Sequence, residues 1–216
     1  MPHERSNDAA DRLSSPSFLA EVRRKAIHLG ALVIPLGLLF EWLPWPRGRH
    51  QFAVLFLVLL VGAIAIDLLR IHERRVATFF RSFFGEMIRE HERLSLLGST
   101  YLVLASLLAV EIFPQPLAAA AIGFTVLGDG FAAIVGRAFG KTRLFHKSLE
   151  GAGAGLAACL LWGAFVAGMG FVPWPVLVVG AVVASLVEVL PIPLDDNLGI
   201  TLAAGYAMKV AAGWLN

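Results

Sequence analysis

The sequence predicts an all-α integral membrane protein, a polytopic bundle of about seven transmembrane helices plus one amphipathic surface helix. Hydrophobic residues make up 57% of the 216 residues and charged residues only 16%, and the mean hydropathy is +0.73. Soluble domains carry about 25% charged residues. The length suits one domain, so we expect a polar cytosolic tail over residues 1–17 and a single membrane-embedded domain over residues 18–216.

Charge and cysteine content exclude nucleic-acid-binding proteins and disulfide-rich scaffolds. The net charge of +2 is small and the basic residues are clustered, so the pI near 9.0 does not indicate a nucleic-acid partner. The one cysteine, Cys159, has no second cysteine with which to form an intramolecular disulfide. Residues 1–17 also lack the pattern of a secretory signal peptide.

Seven apolar runs approach the length that a membrane span requires, about 20 residues. Tryptophans and prolines near residue 42 indicate an interfacial turn after the first run. The predicted spans are Ala26–Trp42, Phe52–Leu69, Leu94–Phe113, Pro116–Ala138, Gly151–Phe171, Trp174–Leu190 and Leu198–Trp214.

Residues 71–93 predict an amphipathic helix on the membrane surface. Apolar side chains recur at helical spacing and arginines occupy positions between them. The alternative is a helix that packs against other protein. Asp67 precedes Arg70 by three residues and is interpreted as its partner in an interfacial ion pair.

Lys and Arg residues cluster on one side of the predicted spans. Residues 23–25, 70–93 and 137–147 hold most of the 18 Lys and Arg. The positive-inside rule therefore places the N-terminus, the surface helix and the third basic segment in the cytosol, and the C-terminus outside. The basic residues on the other side are Arg47, Arg49 and Lys209.

The stretch GDGFAAIVGRAFGKTRLFHKSLEG, residues 128–151, combines a carboxylate with cations. Asp129 lies in an apolar run, where an ionisable side chain by default indicates a functional site. With glycines between the charges, the pattern is typical of a metal–nucleotide phosphate site at a membrane surface. The alternative is that Asp129 only pairs with Arg137 or a neighbouring helix. The cations of this stretch are Arg137, Lys141, Arg143, His146 and Lys147.

The same stretch predicts close helix packing and a helix cap. Small residues every four positions, Gly128, Ala132, Gly136 and Gly140, give a helix face without bulk. Ser148 is placed to cap the following helix, whose N–H groups would then bind phosphate beside Lys147 and Gly151. The alternative for this second motif is an ordinary cap with a snorkelling lysine.

Acidic residues near the last span predict metal ligation. Mg²⁺ takes carboxylate oxygens together with substrate phosphates, so Glu188, Asp195 and Asp196 could hold a metal with Asp129. The alternative is that Asp196 or Asn197 caps the final helix.

The first span begins with RRKAIHLG, in which Arg24 and His28 share a helix face beside Lys25. His28 could be a general base or a phosphate contact. The alternative is a hydrogen-bonded core histidine.

Three motifs in order, GDGFAAIVGRAFG at 128–140, KSLEG at 147–151 and DNL at 196–198, resemble the CTP-dependent lipid-alcohol kinases. That family includes dolichol and polyprenol kinase, phytol kinase and the CTP-type diacylglycerol kinase. The resemblance implies transfer of the γ-phosphoryl group of CTP to the hydroxyl of a membrane lipid alcohol, with Mg²⁺, at the cytosolic face.

The resemblance also implies roles for individual residues. Mg²⁺ would be held by Asp129 with Asp195 or Asp196, and the acceptor of the hydroxyl proton stays open among His28, Glu188 and Asp196. The residues implied in nucleotide binding are Lys25, Gly128, Gly130, Gly136, Arg137, Gly140, Lys141, Lys147, Ser148, Glu150, Gly151 and Asn197.

Two alternatives come from different classes of protein. Phosphatidate cytidylyltransferases share a similar run through Arg137 and Lys141, but they close with H-G-G-x-x-D-R, where this chain has PLDDNLG. The other alternative is a non-catalytic membrane transporter or scaffold. The sequence leaves the lipid alcohol, the nucleotide preference and the oligomeric state open.

Overall fold

A computed structural model of the chain describes residues 16–84 and 94–215, most of which are helical. A π-helical turn, Thr125–Asp129, joins two of the helices, and two short strands, β1 (Arg143–Leu144) and β2 (Lys147–Ser148), form an antiparallel hairpin. The all-α class is therefore confirmed. The helices are α1 (Pro16–Gly30), α2 (Val33–Phe40), α3 (Gly48–His72), α4 (Arg74–Phe84), α5 (Gly98–Ile112), α6 (Gln115–Phe124), α7 (Gly130–Phe139), α8 (Leu149–Gly168), α9 (Trp174–Val189) and α10 (Asp196–Leu215).

Three helices in the described ranges are long and apolar enough to cross a membrane. They are α3, α8 and the continuous 25-residue helix Gln115–Phe139 that α6, the π turn and α7 form together. Helices α5 and α9 are apolar but shorter. On α3, Val58 and Val61 are 64% and 62% exposed, as expected for a lipid-facing surface. The count of seven spans stays a prediction.

The first predicted span is two helices, α1 and α2, rather than one. Pro35 explains the break, because a continuous helix would place its ring against the carbonyl of Ala31, four residues earlier. At the break, the N–H groups of Ala31 and Leu32 donate to carbonyls three residues back, each at 3.0 Å. Helix α1 also begins at Pro16, inside the predicted polar tail.

The centre of the bundle is α6. It packs against α2, α5, α8, α9 and α10, and residues 118–122 have no exposed surface. Four consecutive alanines in this segment allow neighbouring helices to approach from several directions. The π turn and α7 continue this buried helix and carry the candidate site.

Helices α7 and α8 are in backbone contact through small residues, as the glycine spacing predicts. A Cβ atom on Gly151 would lie 2.6 Å from the carbonyl oxygen of Ala132. A Cβ atom on Gly155 would lie 3.0 Å from the carbonyl oxygen of Gly128. Side chains larger than hydrogen would therefore separate the two helices.

The predicted ion pair between Asp67 and Arg70 is confirmed, and it is buried within the protein. Asp67 is 0% exposed and Arg70 is 5% exposed, with 3.1 Å between Oδ1 and a guanidinium nitrogen. Asp67 Oδ2 also accepts hydrogen bonds from the Leu97 N–H at 3.0 Å and the Thr100 hydroxyl at 2.7 Å. This carboxylate therefore joins the end of α3 to the start of α5.

At the opposite end of the bundle, Glu41 joins the turn after α2 to the start of α6. Its carboxylate accepts hydrogen bonds from the Gly48 N–H at 2.7 Å and from Gln115 Nε2 at 2.8 Å. These donors, Gln115 first, lower the pKa of Glu41 below its ordinary value. The sequence assigned no role to Glu41, and the structure gives it a structural one.

Helix α4 has the predicted amphipathic pattern. Phe79 and Phe83 are exposed and lie one turn apart, with 4.9 Å between their ring centroids. The remainder of the predicted surface helix, residues 85–93, lies outside the described residues. The location of α4 on the membrane surface stays a prediction.

We expect Asp67→Ala to destabilise the fold strongly. Removal of one partner from a buried ion pair leaves a buried uncompensated charge and costs about 3–5 kcal/mol. The measurement is the melting temperature of the purified protein in detergent.

Glu111→Ala is the matched control for Asp67→Ala. The Glu111 side chain is 52% exposed and lies 3.6 Å from Arg49, so its loss should cost less than about 1 kcal/mol. Equal melting temperatures for the two variants would contradict the structural role of Asp67.

Candidate functional site

A polar cavity of about 530 Å³ opens at the end of the bundle that carries the hairpin. Its walls come from the first half of α1, from α7, from the hairpin with the start of α8, and from the facing ends of α9 and α10. A volume in this range is typical of small-molecule sites. The sequence-predicted residues that line it are Asp129, Gly136, Arg137, Lys147, Ser148, Gly151, Glu188 and Asp196.

Asp129 is one of the buried acids of the cavity, with 7% of its surface exposed. Its Oδ2 atom accepts a hydrogen bond from the ammonium group of Lys25 and lies 3.7 Å from Nε2 of His28. Both partners come from α1. The structure thus places the predicted Lys25 and His28 next to the predicted Asp129, across a sequence separation of about one hundred residues.

The π turn determines where Asp129 points. One wide turn rotates every residue after it around the helix axis, and such turns occur frequently at functional sites. The hydroxyl of Thr125, at the start of the turn, lies 2.7 Å from the hydroxyl of Thr201 on α10. This contact holds the π turn against α10. The position of Asp129 therefore depends on the packing of the π turn against α10, two segments that are far apart in the sequence.

Lys147 connects the hairpin to α9 and α10. Its Nζ atom lies 3.0 Å from Glu188 Oε1 and 3.1 Å from Asp196 Oδ2. Burial lowers the pKa of Lys147, but the Asp196 and Glu188 carboxylates outweigh burial and raise the pKa above its ordinary value. The lysine is therefore charged at neutral pH, at the centre of an acidic wall.

The predicted cap of α8 is confirmed. Ser148 is buried and its Oγ accepts a hydrogen bond from the Gly151 N–H at 3.1 Å. A Cβ atom on Gly136 would lie 2.9 Å from this oxygen, so only glycine allows the cap to form against α7. The start of α8, with its positive dipole end, therefore borders the cavity.

Helix α1 contributes residues that the sequence reasoning missed. Glu21 is 7% exposed and bonds Arg24, and its Oε2 lies 3.3 Å from Arg137 on α7. The missed signal is the spacing of Glu21, Arg24, Lys25 and His28, which fall on one face of a helix once α1 is extended to Pro16. Phe18, Ala133 and Ala152 also line the cavity without having been predicted. Ala132, from the predicted small-residue face, and Arg143 and His146, from the predicted cation cluster, complete the lining.

Several predicted residues support the walls instead of lining the cavity. Glu150 accepts a hydrogen bond from the Thr142 N–H at 3.1 Å and so fixes the base of the hairpin. Asp195 accepts a hydrogen bond from the Asn197 N–H at 2.9 Å and caps α10. The Asn197 amide donates to the Gly98 carbonyl at 3.1 Å, which connects α10 to α5.

The remaining predicted residues are one cation and three glycines. Lys141 is exposed on the connection between α7 and the hairpin. A Cβ atom on Gly130 would lie 3.1 Å from the side chain of Leu29, so this glycine serves the packing of α1 on α7. Gly140 contacts Ser148 closely, and Gly128 lines a second, narrow crevice.

That crevice adjoins two of the buried acids of the cavity. It shares Asp129 and Glu188 with the cavity, and its other lining residues, including Cys159, Ala184 and Ile200, are small or apolar. The acids therefore lie at the junction between a polar chamber and the apolar interior of the bundle.

The donor chemistry of the cavity fits a hard divalent cation. In the described residues, no three His, Cys, Asp or Glu side chains form a ready-made metal site. The carboxylates of Asp129, Glu188 and Asp196 nevertheless line one cavity with several cations. Mg²⁺ is usually held by one or two carboxylates plus substrate phosphates, which matches this arrangement.

No family model and no solved structure matches the chain. The chain is 31% identical over 204 residues to a wheat (Triticum aestivum) protein named "Probable phytol kinase, chloroplastic". The aligned region covers 83% of this chain and 64% of the wheat protein. The chain is 30% identical over 210 residues to "Farnesol kinase, chloroplastic" of Arabidopsis thaliana, covering 88% of this chain and 65% of that protein. It thus spans about two thirds of the length of these plant relatives.

A bacterial relative matches over nearly its whole length. A protein of Rickettsia prowazekii, whose name assigns it no function, is 24% identical over 198 residues, which is 88% of this chain and 94% of that protein. Over most of its length, this chain is therefore similar to plant proteins named as phytol and farnesol kinases.

Proposed function

We propose that this protein is a membrane-embedded kinase that transfers the γ-phosphoryl group of CTP to the hydroxyl of a lipid alcohol. The observation that carries the proposal is the convergence of Asp129, Glu188 and Asp196 with several cations in one cavity beside apolar helices long enough to span a membrane. The plant relatives named as phytol and farnesol kinases support an isoprenoid alcohol as the acceptor.

In this proposal the cations hold the triphosphate. Phosphoryl transfer needs little covalent chemistry from a protein and depends on positioning and charge neutralisation. Arg137 and Lys147 line the cavity beside the N-terminus of α8, where N–H groups and the helix dipole favour a phosphate. Lys25 and Arg24 approach from α1 on the opposite wall.

Mg²⁺ would be held by Asp129 and Asp196, and when bound it would neutralise charge on the transferring phosphate. Lys25 and Lys147 balance these carboxylates in the structure. The same lysines would turn to the phosphates when the nucleotide enters.

Glu188 is the proposed acceptor of the hydroxyl proton. His28 does not line the cavity, and of the other two candidates Glu188 is the more buried, with a side chain 9% exposed against 33% for Asp196. Burial disfavours the charged form of a carboxylate, so Glu188 is the better proton acceptor for a hydroxyl that enters the cavity. The alcohol oxygen then bonds to the γ-phosphorus, the bond from that phosphorus to the β-phosphate oxygen breaks, the proton passes to Glu188, and CDP leaves.

The cytosolic face is the proposed location of the cavity. Arginines and lysines of α1, α4 and the hairpin lie on the same side of the predicted spans, in line with the positive-inside rule. CTP would enter from the cytosol, and the lipid alcohol would enter from the bilayer.

We expect Asp129→Asn to abolish turnover, because the substitution removes the charge that holds the metal. The amide keeps the side-chain volume and its oxygen can still accept the Lys25 hydrogen bond, so the protein folds with a lower melting temperature. The measurement is phosphoryl transfer by purified protein whose gel-filtration profile matches the wild type. Activity near the wild-type level would contradict the metal role.

Glu188→Gln should lower kcat about 100-fold or more and change the KM for CTP little, because loss of a general base acts on the proton transfer. The amide can still bond Lys147, so the wall remains formed. A change in KM with an unaltered kcat would assign Glu188 to nucleotide binding instead.

Lys147→Ala should raise the KM for CTP about 10- to 100-fold, since a hydrogen bond to a charged group contributes about 1.5–3 kcal/mol. Lys209→Ala is the matched control, because Lys209 is exposed near the other end of α10 and donates to the Ile112 carbonyl. An unchanged KM in Lys147→Ala would count against its phosphate role.

The reaction itself is tested with purified protein, Mg²⁺, CTP labelled at the γ-phosphate, and a panel of farnesol, phytol, polyprenol, dolichol, diacylglycerol and phosphatidate. Label in a lipid phosphate with release of CDP establishes the kinase and identifies the acceptor. Release of pyrophosphate with phosphatidate alone would indicate a cytidylyltransferase. Absence of both turnover and CTP binding would indicate a non-catalytic membrane protein.

A further inference from the structure

Two short segments beside the cavity carry exposed apolar side chains that the proposed chemistry does not use. The tip of the hairpin has Leu144 and Phe145, which are 39% and 60% exposed. The connection between α9 and α10 has Leu190, Ile192 and Leu194, which are 47%, 40% and 57% exposed. We call these five residues the apolar rim.

The two parts of the rim are connected through the cavity wall. Lys147 on the hairpin bonds Glu188 in the last turn of α9 and Asp196 in the first turn of α10. Those two acids bracket the Leu190–Leu194 segment in the sequence. Both apolar segments therefore adjoin the cavity wall, which includes Arg143 and His146 on the hairpin and Glu188 and Asp196 at the two ends of the connection.

We propose that the apolar rim docks into the interfacial region of the lipid bilayer and holds the cavity mouth at the depth of the lipid headgroups. The hairpin connects the end of the 25-residue helix Gln115–Phe139 to the start of α8, and both are long enough to span a membrane. A turn between two spans lies at a membrane surface, where exposed apolar side chains bury themselves in the headgroup and acyl boundary.

The backbone of the α9–α10 connection suits this location. Unpaired N–H groups are costly in lipid. Pro191 and Pro193 have no N–H, and the N–H groups of Leu190 and Ile192 donate to Leu186 at 3.1 Å and to the Leu190 carbonyl at 2.8 Å. The segment therefore presents apolar side chains to the bilayer with few open donors.

The hairpin tip carries an aromatic residue at a conformational cost. Phe145 has a φ of 54°, in the left-handed region that costs a bulky residue about 1–3 kcal/mol. Neighbouring Arg143 is exposed and provides positive charge suited to anionic headgroups. A soluble partner would not explain why this tip lies directly between two membrane helices.

Docking at this depth has a consequence that rests on the proposed kinase function. A lipid alcohol keeps its hydroxyl near the headgroups and its chain in the bilayer. A cavity mouth at the same depth lets the hydroxyl reach Glu188 without extraction of the chain from the membrane.

The docking is tested with the full-length protein in liposomes of phosphatidylcholine and phosphatidylglycerol. A nitrobenzoxadiazole fluorophore is attached to Phe145→Cys or Ile192→Cys, and the native Cys159 is 1% exposed and so protected from labelling. Leu161→Cys, on the exposed surface in the middle of α8, is the lipid-embedded control, and Lys141→Cys is the water-exposed control.

We expect labels at both rim positions to lose fluorescence with headgroup-proximal spin-labelled lipid and to resist iodide, unlike the label at 141. Quenching by iodide as at 141 would overturn the proposal. Protection from both quenchers would also overturn it, because it would indicate coverage by a second copy of the chain.

An activity measurement separates this proposal from the kinase assignment. Phe145→Ser combined with Ile192→Ser should lose turnover of a bilayer-embedded alcohol while turnover of a short, water-dispersed alcohol and the KM for CTP persist. Val58→Ser, on the exposed face of α3, is the matched control. Unchanged turnover of the bilayer-embedded alcohol, or equal loss with both alcohols, would contradict the role in acceptor delivery.

If the wild type shows no kinase activity, the proposed function fails while the quenching result still decides the docking.

Discussion

The buried carboxylate of Asp129 is the constraint on which the rest of the structure depends. A lone charge inside an apolar bundle is costly unless a partner of opposite charge accompanies it. Lys25 is that partner, and it is itself only 3% exposed. Helix α1 therefore has to pack on α7, and with α1 come Glu21 and Arg24, which complete the near wall of the cavity.

The same constraint reaches the other walls through close contacts. The π turn that presents Asp129 is held by the hydroxyls of Thr125 and Thr201, so α10 takes a defined position against it. Backbone contact between α7 and α8 brings Ser148 and the start of α8 to the cavity. Lys147 then connects the hairpin to the acids of α9 and α10.

The cavity wall combines carboxylates and cations that come from different segments of the chain. Each acid has a basic partner, Lys25 for Asp129 and Lys147 for Glu188 and Asp196. In the proposed reaction the metal is positive and the triphosphate is negative. The carboxylates can therefore exchange their lysine partners for the metal, and the lysines can exchange their carboxylate partners for phosphates, at little net electrostatic cost. The structural pairs elsewhere, such as Asp67 with Arg70, lie away from the cavity and have a purely architectural role.

The sequence by itself determined the membrane class, the small-residue contact of α7 with α8, the cap at Ser148 and the presence of a charged residue, Asp129, within an apolar run. These follow from local composition, from spacing along one helix, or from the cost of a charge in an apolar run. The break at Ala31 was also within reach of the sequence, because Pro35 excludes a continuous helix. Only the tertiary structure decided that Lys25 pairs with Asp129, that Glu21 lies beside Arg137, and that Asn197 and Glu150 support the walls. Those pairings join residues from separate segments of the chain. Helical periodicity predicts which face of a helix is polar, but it does not predict which other segment packs against that face.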